Sequence, residues 1–379
     1  MIDLRKVKSV KLKPGVIVLL KTIGIILCIG LGVFIFYSKQ ISDLTKLGYS
    51  KEASKNILFS WKKDYVLSIG ENKTLNAAFS SSDYKEENLN HYSKIKYFDQ
   101  KHLIKNINSL LKIGYSNNDI NIILSHGTDE SVSEFAKRDK VRYLDEFFCV
   151  DYAKLENYDR YVAYSDENGE DEETTVLYVN LDLDKPDYEE SKTVEKFSSD
   201  MLVNKHRSLN ENFEPNDLMS IPSEYASEDD FQASRIAFNA YKKMSDAASK
   251  EGYEIVINSA YRSYQDQLDI IEYYKNAYGQ NYVDKYVAKA GFSEHQTGLA
   301  FDIGSRKVNV FANSKEYEWM QDNAYKYGFI LRFSKRYENV TGFRSEPWHY
   351  RYVGVEAAKY IYEHKNIPYE YYYAMYLDK

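Results

Sequence analysis

The pattern of apolar and polar positions divides the chain into stretches of different period. An apolar run extends from Gly15 to Tyr37, broken only by Lys21. Its uninterrupted part, Thr22 to Tyr37, falls short of the ~20 residues that a bilayer span needs. Counting Gly15 to Leu20 as well, with Lys21 snorkelling toward the headgroups, restores the length. One transmembrane helix over residues 15–37 is expected. Residues 38–135 read as helical and hold a near-repeat: Leu44-Thr45-Lys46-Leu47-Gly48-Tyr49-Ser50 matches Leu110-Leu111-Lys112-Ile113-Gly114-Tyr115-Ser116, and Ile57-Leu58 matches Ile123-Leu124. Gly stops a helix and Ser caps the next, so each copy predicts helix, turn, helix. The region is either a spacer or a module that binds the cell wall. Residues 160–183 read as a hairpin, with Leu177, Val179, Leu181 and Leu183 alternating after an Asn168-Gly169 turn. From Asp184 to about Asp230 the chain is polar and carries Pro186, Pro215 and Pro222, which predicts a linker becoming an arm around the next domain.

From about residue 200 onward, helical and strand periods alternate. A helix opens at Ser227 with Asp230, shows the stripe Ala233, Ile236, Ala237, Ala240, Met244 and Ala248, and closes at Gly252. Strand 253–257 follows, then a helix from Tyr264 to Tyr278 ended by Gly279. Strand 299–303, a helix over 313–327 stopped by Gly328, strands 329–333 and 348–353, and a helix over 355–364 complete the series. This mixed order predicts an α+β domain over residues 200–379, with a mainly antiparallel sheet and flanking helices. It is preceded by a basic tail (1–14), the transmembrane helix, the helical region and a hairpin-and-linker segment (136–199).

Charge orients the chain. Arg5, Lys6, Lys8, Lys11 and Lys13 precede the apolar run, so the N-terminus is expected inside and the bulk outside the cell membrane. A cleaved signal peptide is disfavoured because Phe34-Ile35-Phe36-Tyr37 offers no small-x-small site. A lipoprotein reading of Cys28 is disfavoured by the bulky Leu27 before it. Setting aside the six basic residues and one acidic residue before position 38 leaves 44 basic against 56 acidic, which argues against nucleic acid as a partner. With only Cys28 and Cys149, no disulfide within the chain is expected. The acidic run Asp166–Glu173 lacks the ligand spacing of an EF-hand and reads as a solvated loop tip. The 37 tyrosines suit half-wet surfaces but assign no function.

The chemistry concentrates in two segments, Ser293-Glu294-His295-Gln296-Thr297-Gly298-Leu299-Ala300-Phe301-Asp302 and Glu346-Pro347-Trp348-His349. Period two in the first strand puts Leu299, Phe301 and Ile303 on one face and aims Asp302 the other way, beside Ala300 and Gly304. Pro347 biases Glu346 toward extended backbone, and His349 begins the next strand. A catalytic zinc needs three nitrogen or oxygen ligands, an open position and a nearby free base. His295, Asp302 and His349 are the candidate ligands and Glu346 the candidate base. The remaining histidines, His91, His102, His126, His206 and His364, read as ordinary core or surface residues.

Ser293-x-His295-x-x-Gly298-x-Ala300-x-Asp302, followed by Glu346-x-Trp348-His349, resembles the VanY-like zinc D-alanyl-D-alanine carboxypeptidases, and Ala260-Tyr261-Arg262-Ser263-x-x-x-Gln267 resembles that family's third motif. The resemblance covers residues 200–379. It implies a hedgehog/DD-peptidase-like fold, Zn²⁺ on His295, Asp302 and His349, and Glu346 as general base. It also implies peptidoglycan stem peptides as substrate, losing their terminal D-alanine. Arg262 is expected to clamp the substrate's C-terminal carboxylate and share the oxyanion. Ser293 and Gln267 are expected to hydrogen-bond substrate, and Trp348 to pack beneath the site. Related members include L,D-carboxypeptidases that trim tetrapeptides. The hedgehog-like fold also admits a non-catalytic, zinc-containing wall-binding module, for which Glu346 would have no use.

Overall fold

The computed structural model describes residues 13–142 and 144–378. The basic flank expected at Arg5, Lys6, Lys8 and Lys11 lies outside the described residues. The chain forms two compact units, Met1–Phe148 and Cys149–Lys379.

In the first unit, the helix Pro14–Lys46 is long and apolar enough to cross a membrane. Its apolar side chains from Val16 to Tyr37 are exposed, and Leu44 is the one residue along it that is buried. Gly48 takes a positive φ of 100°, and Ser50 caps the helix Lys51–Phe59 by accepting from the Ala53 N–H at 3.0 Å. The matching turn has Gly114 left-handed and Ser116 in a capping box with Asp119, opening the helix Asn117–His126. Local sequence sets both turns, because each needs only a residue free of Cβ strain and a short side chain that accepts from the new helix.

The segment 160–183 is not a hairpin. It forms the helices Tyr158–Asn168 and Glu172–Asn180. Gly169 is left-handed and closes the first helix, while Asp171 caps the second by accepting from Thr174 N–H at 2.8 Å. A short run rich in Thr and Val satisfies either period, and here cap and packing outweigh β-propensity. This pair belongs to the second compact unit, Cys149–Lys379. Leu177 and Leu181 pack in a cluster with Ile330, Val353, Ala358, Ile361 and Tyr369.

A hydrogen-bond network recurs in the two units. Buried Tyr92 donates to Asn108 Oδ1 (2.6 Å) and accepts from Lys85 N–H (3.2 Å), and Asn108 Nδ2 donates to the Asp83 carbonyl (2.7 Å). Buried Tyr161 donates to Asn180 Oδ1 (2.6 Å) and accepts from Lys154 N–H (2.9 Å), and Asn180 Nδ2 donates to the Tyr152 carbonyl (2.9 Å). The helices around 158–180 therefore repeat a motif of the N-terminal region.

The catalytic-type core is a four-stranded, fully antiparallel sheet in the order Val256–Ser259, Ala300–Gly304, His349–Tyr352, Phe329–Leu331. Phe301 and Ile303 point into a core shared with Ala237, Tyr241, Met244 and Trp319. The helix expected from Ser227 starts instead at Arg235, with Gln232–Ser234 a strand, and Ile236 of the expected stripe is exposed. Its cap comes from afar: Asp217 accepts from Ser234 Oγ (2.8 Å) and Ile236 N–H (3.3 Å), which no local pattern displays. The helix Tyr264–Tyr278 ends at Gly279 as expected, and a further helix, Tyr369–Tyr376, follows Val355–Glu363.

Candidate metal centre and active site

Three neighbouring elements build the site. Asp302 stands on the central strand directly across the register from His349 on one side and Ser259 on the other. His295 sits in the 3₁₀ turn Glu294–Thr297, closed by left-handed Gly298. A Cβ at Gly298 would lie 2.9 Å from the Ser234 nitrogen, so this close passage requires glycine. The polar arm holds the turn from outside, since Gln296 Nε2 donates to the Asn210 and Phe213 carbonyls at 2.9 and 3.2 Å. Glu346 is fixed by its N–H to the Phe333 carbonyl (3.0 Å), and its own carbonyl accepts from His349 N–H (3.1 Å).

Ligand-capable atoms of His295, Asp302 and His349 lie within 4.8 Å of one another. Asp302 Oδ1 is 3.5 Å from His295 Nε2 and 3.3 Å from His349 Nδ1. It is buried and accepts no hydrogen bond. The other nitrogen of each imidazole is engaged away from this point. His295 Nδ1 contacts the Ala260 carbonyl at 2.7 Å, and His349 Nε2 contacts Glu294 Oε2 at 3.3 Å. Carbonyls and carboxylates only accept, so those nitrogens carry the protons and leave His295 Nε2 and His349 Nδ1 as donors to a cation. Two nitrogens and one orphaned carboxylate oxygen fit a divalent metal with an open fourth position.

The electrostatics follow from burial and partners. Burial and the Arg262 charge push His295 down to about 4, which keeps it neutral. Burial opposes protonation of His349 too, but its contacts with Asp302 and Glu294 outweigh it and raise the metal-free imidazole to about 9. Asp302 is held well below the carboxylate range because the two imidazoles outweigh its desolvation. Glu346, with Oε2 3.4 Å from His349 Nδ1, is lifted to about 7 by burial and by the Asp302 charge, against the pull of His349 and Arg262.

Arg262 lies in the loop after strand Val256–Ser259, and the acidic groups that act most strongly on its charge are Asp302 and Glu346. Its Nε is buried without a partner, and Nη1 donates to Gln267 Oε1 at 3.0 Å. Gln267, expected to touch substrate, has both amide ends engaged: Nε2 donates to the Ala288 carbonyl at 2.8 Å. Its position in the helix Tyr264–Tyr278 makes it a brace for Arg262. Ser293 is buried at the entrance to the 3₁₀ turn. Trp348, expected beneath the site, is 44% exposed, in the turn just before the strand His349–Tyr352.

Sequence reasoning missed a buried quartet behind His349. Glu294 accepts from Arg332 Nε (2.8 Å) and Arg351 Nη1 (3.4 Å), and Arg332 forks onto Glu370 at 2.9 and 2.6 Å. Arg351 is anchored further by the Met201 carbonyl at 2.7 Å. The only local signal is an acidic residue beside His295; its partners lie 38 to 57 residues away.

Comparison with known proteins fits this geometry. The family model described as VanY, D-alanyl-D-alanine carboxypeptidase, matches residues 231–355. Over 167 residues the chain is 32% identical to VanXYC of Enterococcus gallinarum, a bifunctional D-Ala-D-Ala dipeptidase and carboxypeptidase, spanning 42% of this chain and 86% of that protein. The chain belongs to the VanY family. It is also 46% identical over 168 residues to YodJ of Bacillus subtilis, a putative carboxypeptidase, covering 42% of this chain but only 62% of YodJ's own length. Among solved structures, the LD-carboxypeptidase LdcB is similar at 40% identity, covering 49% of this chain and 91% of that one, with a TM-score of 0.45. The VanY match contains Arg262, His295, Asp302, Glu346 and His349, whereas the helical region before it lies outside.

Proposed function

We propose that this chain is a membrane-anchored zinc carboxypeptidase that removes the C-terminal D-alanine from peptidoglycan stem peptides on the outer side of the cell membrane. One observation carries the reading: Glu346 stands as an additional carboxylate beside a complete three-donor set. A purely structural metal has no use for such a group.

His295, Asp302 and His349 would hold the zinc. Zinc bound there supplies Lewis acidity, which brings the pKa of a water toward neutrality. Glu346 takes the proton of the attacking water and returns it to the leaving amine, and its burial raises its affinity for that proton. Arg262, braced by Gln267 and with Nε unpaired, clamps the substrate's free carboxylate through its planar fork and shares the developing oxyanion charge. An endopeptidase would have to leave that side open. Ser293, buried at the entrance to the 3₁₀ turn, remains a candidate substrate hydrogen-bonder. The apolar helix Pro14–Lys46 supports a single membrane span, with the basic flank before it favouring an outward catalytic unit.

The test is mass spectrometry of the full-length, zinc-loaded protein with a stem pentapeptide and a tetrapeptide side by side. Loss of one alanine from the pentapeptide alone supports D,D activity. Loss from the tetrapeptide alone moves the assignment to L,D, and no cleavage with zinc bound removes the carboxypeptidase reading.

A further inference from the structure

The most exposed large apolar side chains in the described residues are outside the apolar helix. Phe59 is 87% and Trp61 92% exposed, at the end of the helix Lys51–Phe59 and in the turn that follows. The turn is firmly built: Ser60 N–H donates to Asn56 O (2.9 Å), Trp61 N–H to Leu58 O (3.2 Å) and Lys62 N–H to Ile57 O (3.0 Å). Trp61 sits at a φ of 59°, where a bulky residue is an outlier. Backbone donors are satisfied while two aromatic rings are held in solvent.

Helix arithmetic says where this turn lies. After Lys46 the chain reverses through Gly48 and packs the nine-residue helix Lys51–Phe59 back along the long helix. Nine residues rise roughly 13 Å, which brings Phe59 level with Tyr37, nine residues before Lys46. A side-chain contact agrees, as Lys63 Nζ hydrogen-bonds Gln40 Oε1. Tyr37 is also where the apolar stretch ends. The turn therefore returns to the depth at which a membrane-spanning helix would leave the hydrocarbon.

We propose that Phe59 and Trp61 form a second membrane contact, seated in the interfacial zone of the leaflet from which the long helix emerges. Aromatic rings favour that zone. The lipid surface is the partner because the patch is continuous in depth with the apolar helix. This rests on reading Pro14–Lys46 as a membrane span, and the contact restrains the tilt of the helical hairpin on the leaflet.

The test uses the full chain in phosphatidylethanolamine/phosphatidylglycerol vesicles, with and without lipids brominated near the top of the acyl chain. Subtracting the emission of Trp61→Ser from that of the unmodified protein isolates Trp61. The expected result is flotation of both proteins with the vesicles, and a blue-shifted Trp61 signal that is lost to the brominated lipid. Flotation with a water-like, unquenched Trp61 signal overturns the contact while leaving the anchor intact. Failure to float overturns the anchor reading and the contact with it.

Discussion

Glu294→Gln is the most informative perturbation of the site, because it separates metal orientation from fold stability. The carboxylate faces His349 Nε2 on one side and the two buried guanidinium groups on the other. Removing its charge leaves Arg332 with Glu370 alone and Arg351 with backbone carbonyls. Breaking one partner of a buried pair costs about 3–5 kcal/mol. The fork to Glu370 survives and glutamine keeps an acceptor, so the lower end, about 3 kcal/mol, is expected. For a unit of this size that lowers the melting temperature by roughly 6–12 °C. Loss of the carboxylate behind a ligating imidazole should also weaken zinc by about 10–100-fold. Glu370→Gln is the control, since it disturbs the same quartet without touching His349. Melting of the metal-free proteins and zinc competition against a chelator read the two effects separately. Both variants should melt lower, but only Glu294→Gln should lose zinc affinity beyond threefold or so. Equal zinc loss in both variants, or none in either, would refute the role assigned to Glu294 in holding His349.

Glu346→Gln should reduce turnover of the cleaved peptide by at least about 10²-fold while zinc binding stays near that of the parent; retained turnover would show that another group takes the proton. Arg262→Lys keeps the charge but loses the fork, so KM for peptides with a free C-terminal carboxylate should rise at least tenfold or so, checked by steady-state kinetics. A fragment of residues 200–379 loses Leu177 and Leu181 from the cluster around Ile361. At about 1.5–3 kcal/mol each, it should melt well below residues 149–379 and bind a hydrophobic dye; equal melting points would contradict the boundary at 148. Asp182 is 5% exposed on its side chain and contacts Lys192 (2.8 Å), Arg160 (3.0 Å) and Lys185 (3.3 Å). Desolvation alone would raise its pKa, but these cations outweigh it and hold the carboxyl below its ordinary value. Its contribution is therefore present above about pH 4 and lost as pH falls through the depressed value. The stability gap between the parent protein and Asp182→Asn should close over that range in acid titrations.

The apolar run, the two Gly–x–Ser turns and the alternation at Leu299–Ile303 were legible in the sequence because each depends on neighbours within a few residues, and the candidate metal ligands because two short motifs carry them. A helix stop needs one glycine, and a strand face needs period two. The helices at 158–180 misread as a hairpin because Asn168-Gly169 serves equally as a helix end or a tight turn, and a short Thr/Val run carries no decisive period. The start at Arg235 depends on Asp217, and the packing of Leu177 and Leu181 on Ile361 on a distant helix. Sequence alone singled out His295, Asp302 and His349 as residues that could hold a metal and Glu346 as the candidate base, since side-chain type and local backbone suggest those roles. Only the tertiary structure decided which imidazole nitrogens are left free for a cation, that Gln267 hydrogen-bonds Arg262, and that Glu294, Arg332, Arg351 and Glu370 stand behind His349. Those assignments rest on hydrogen bonds between segments far apart in the chain, and a directional contact of that kind leaves no periodicity to read.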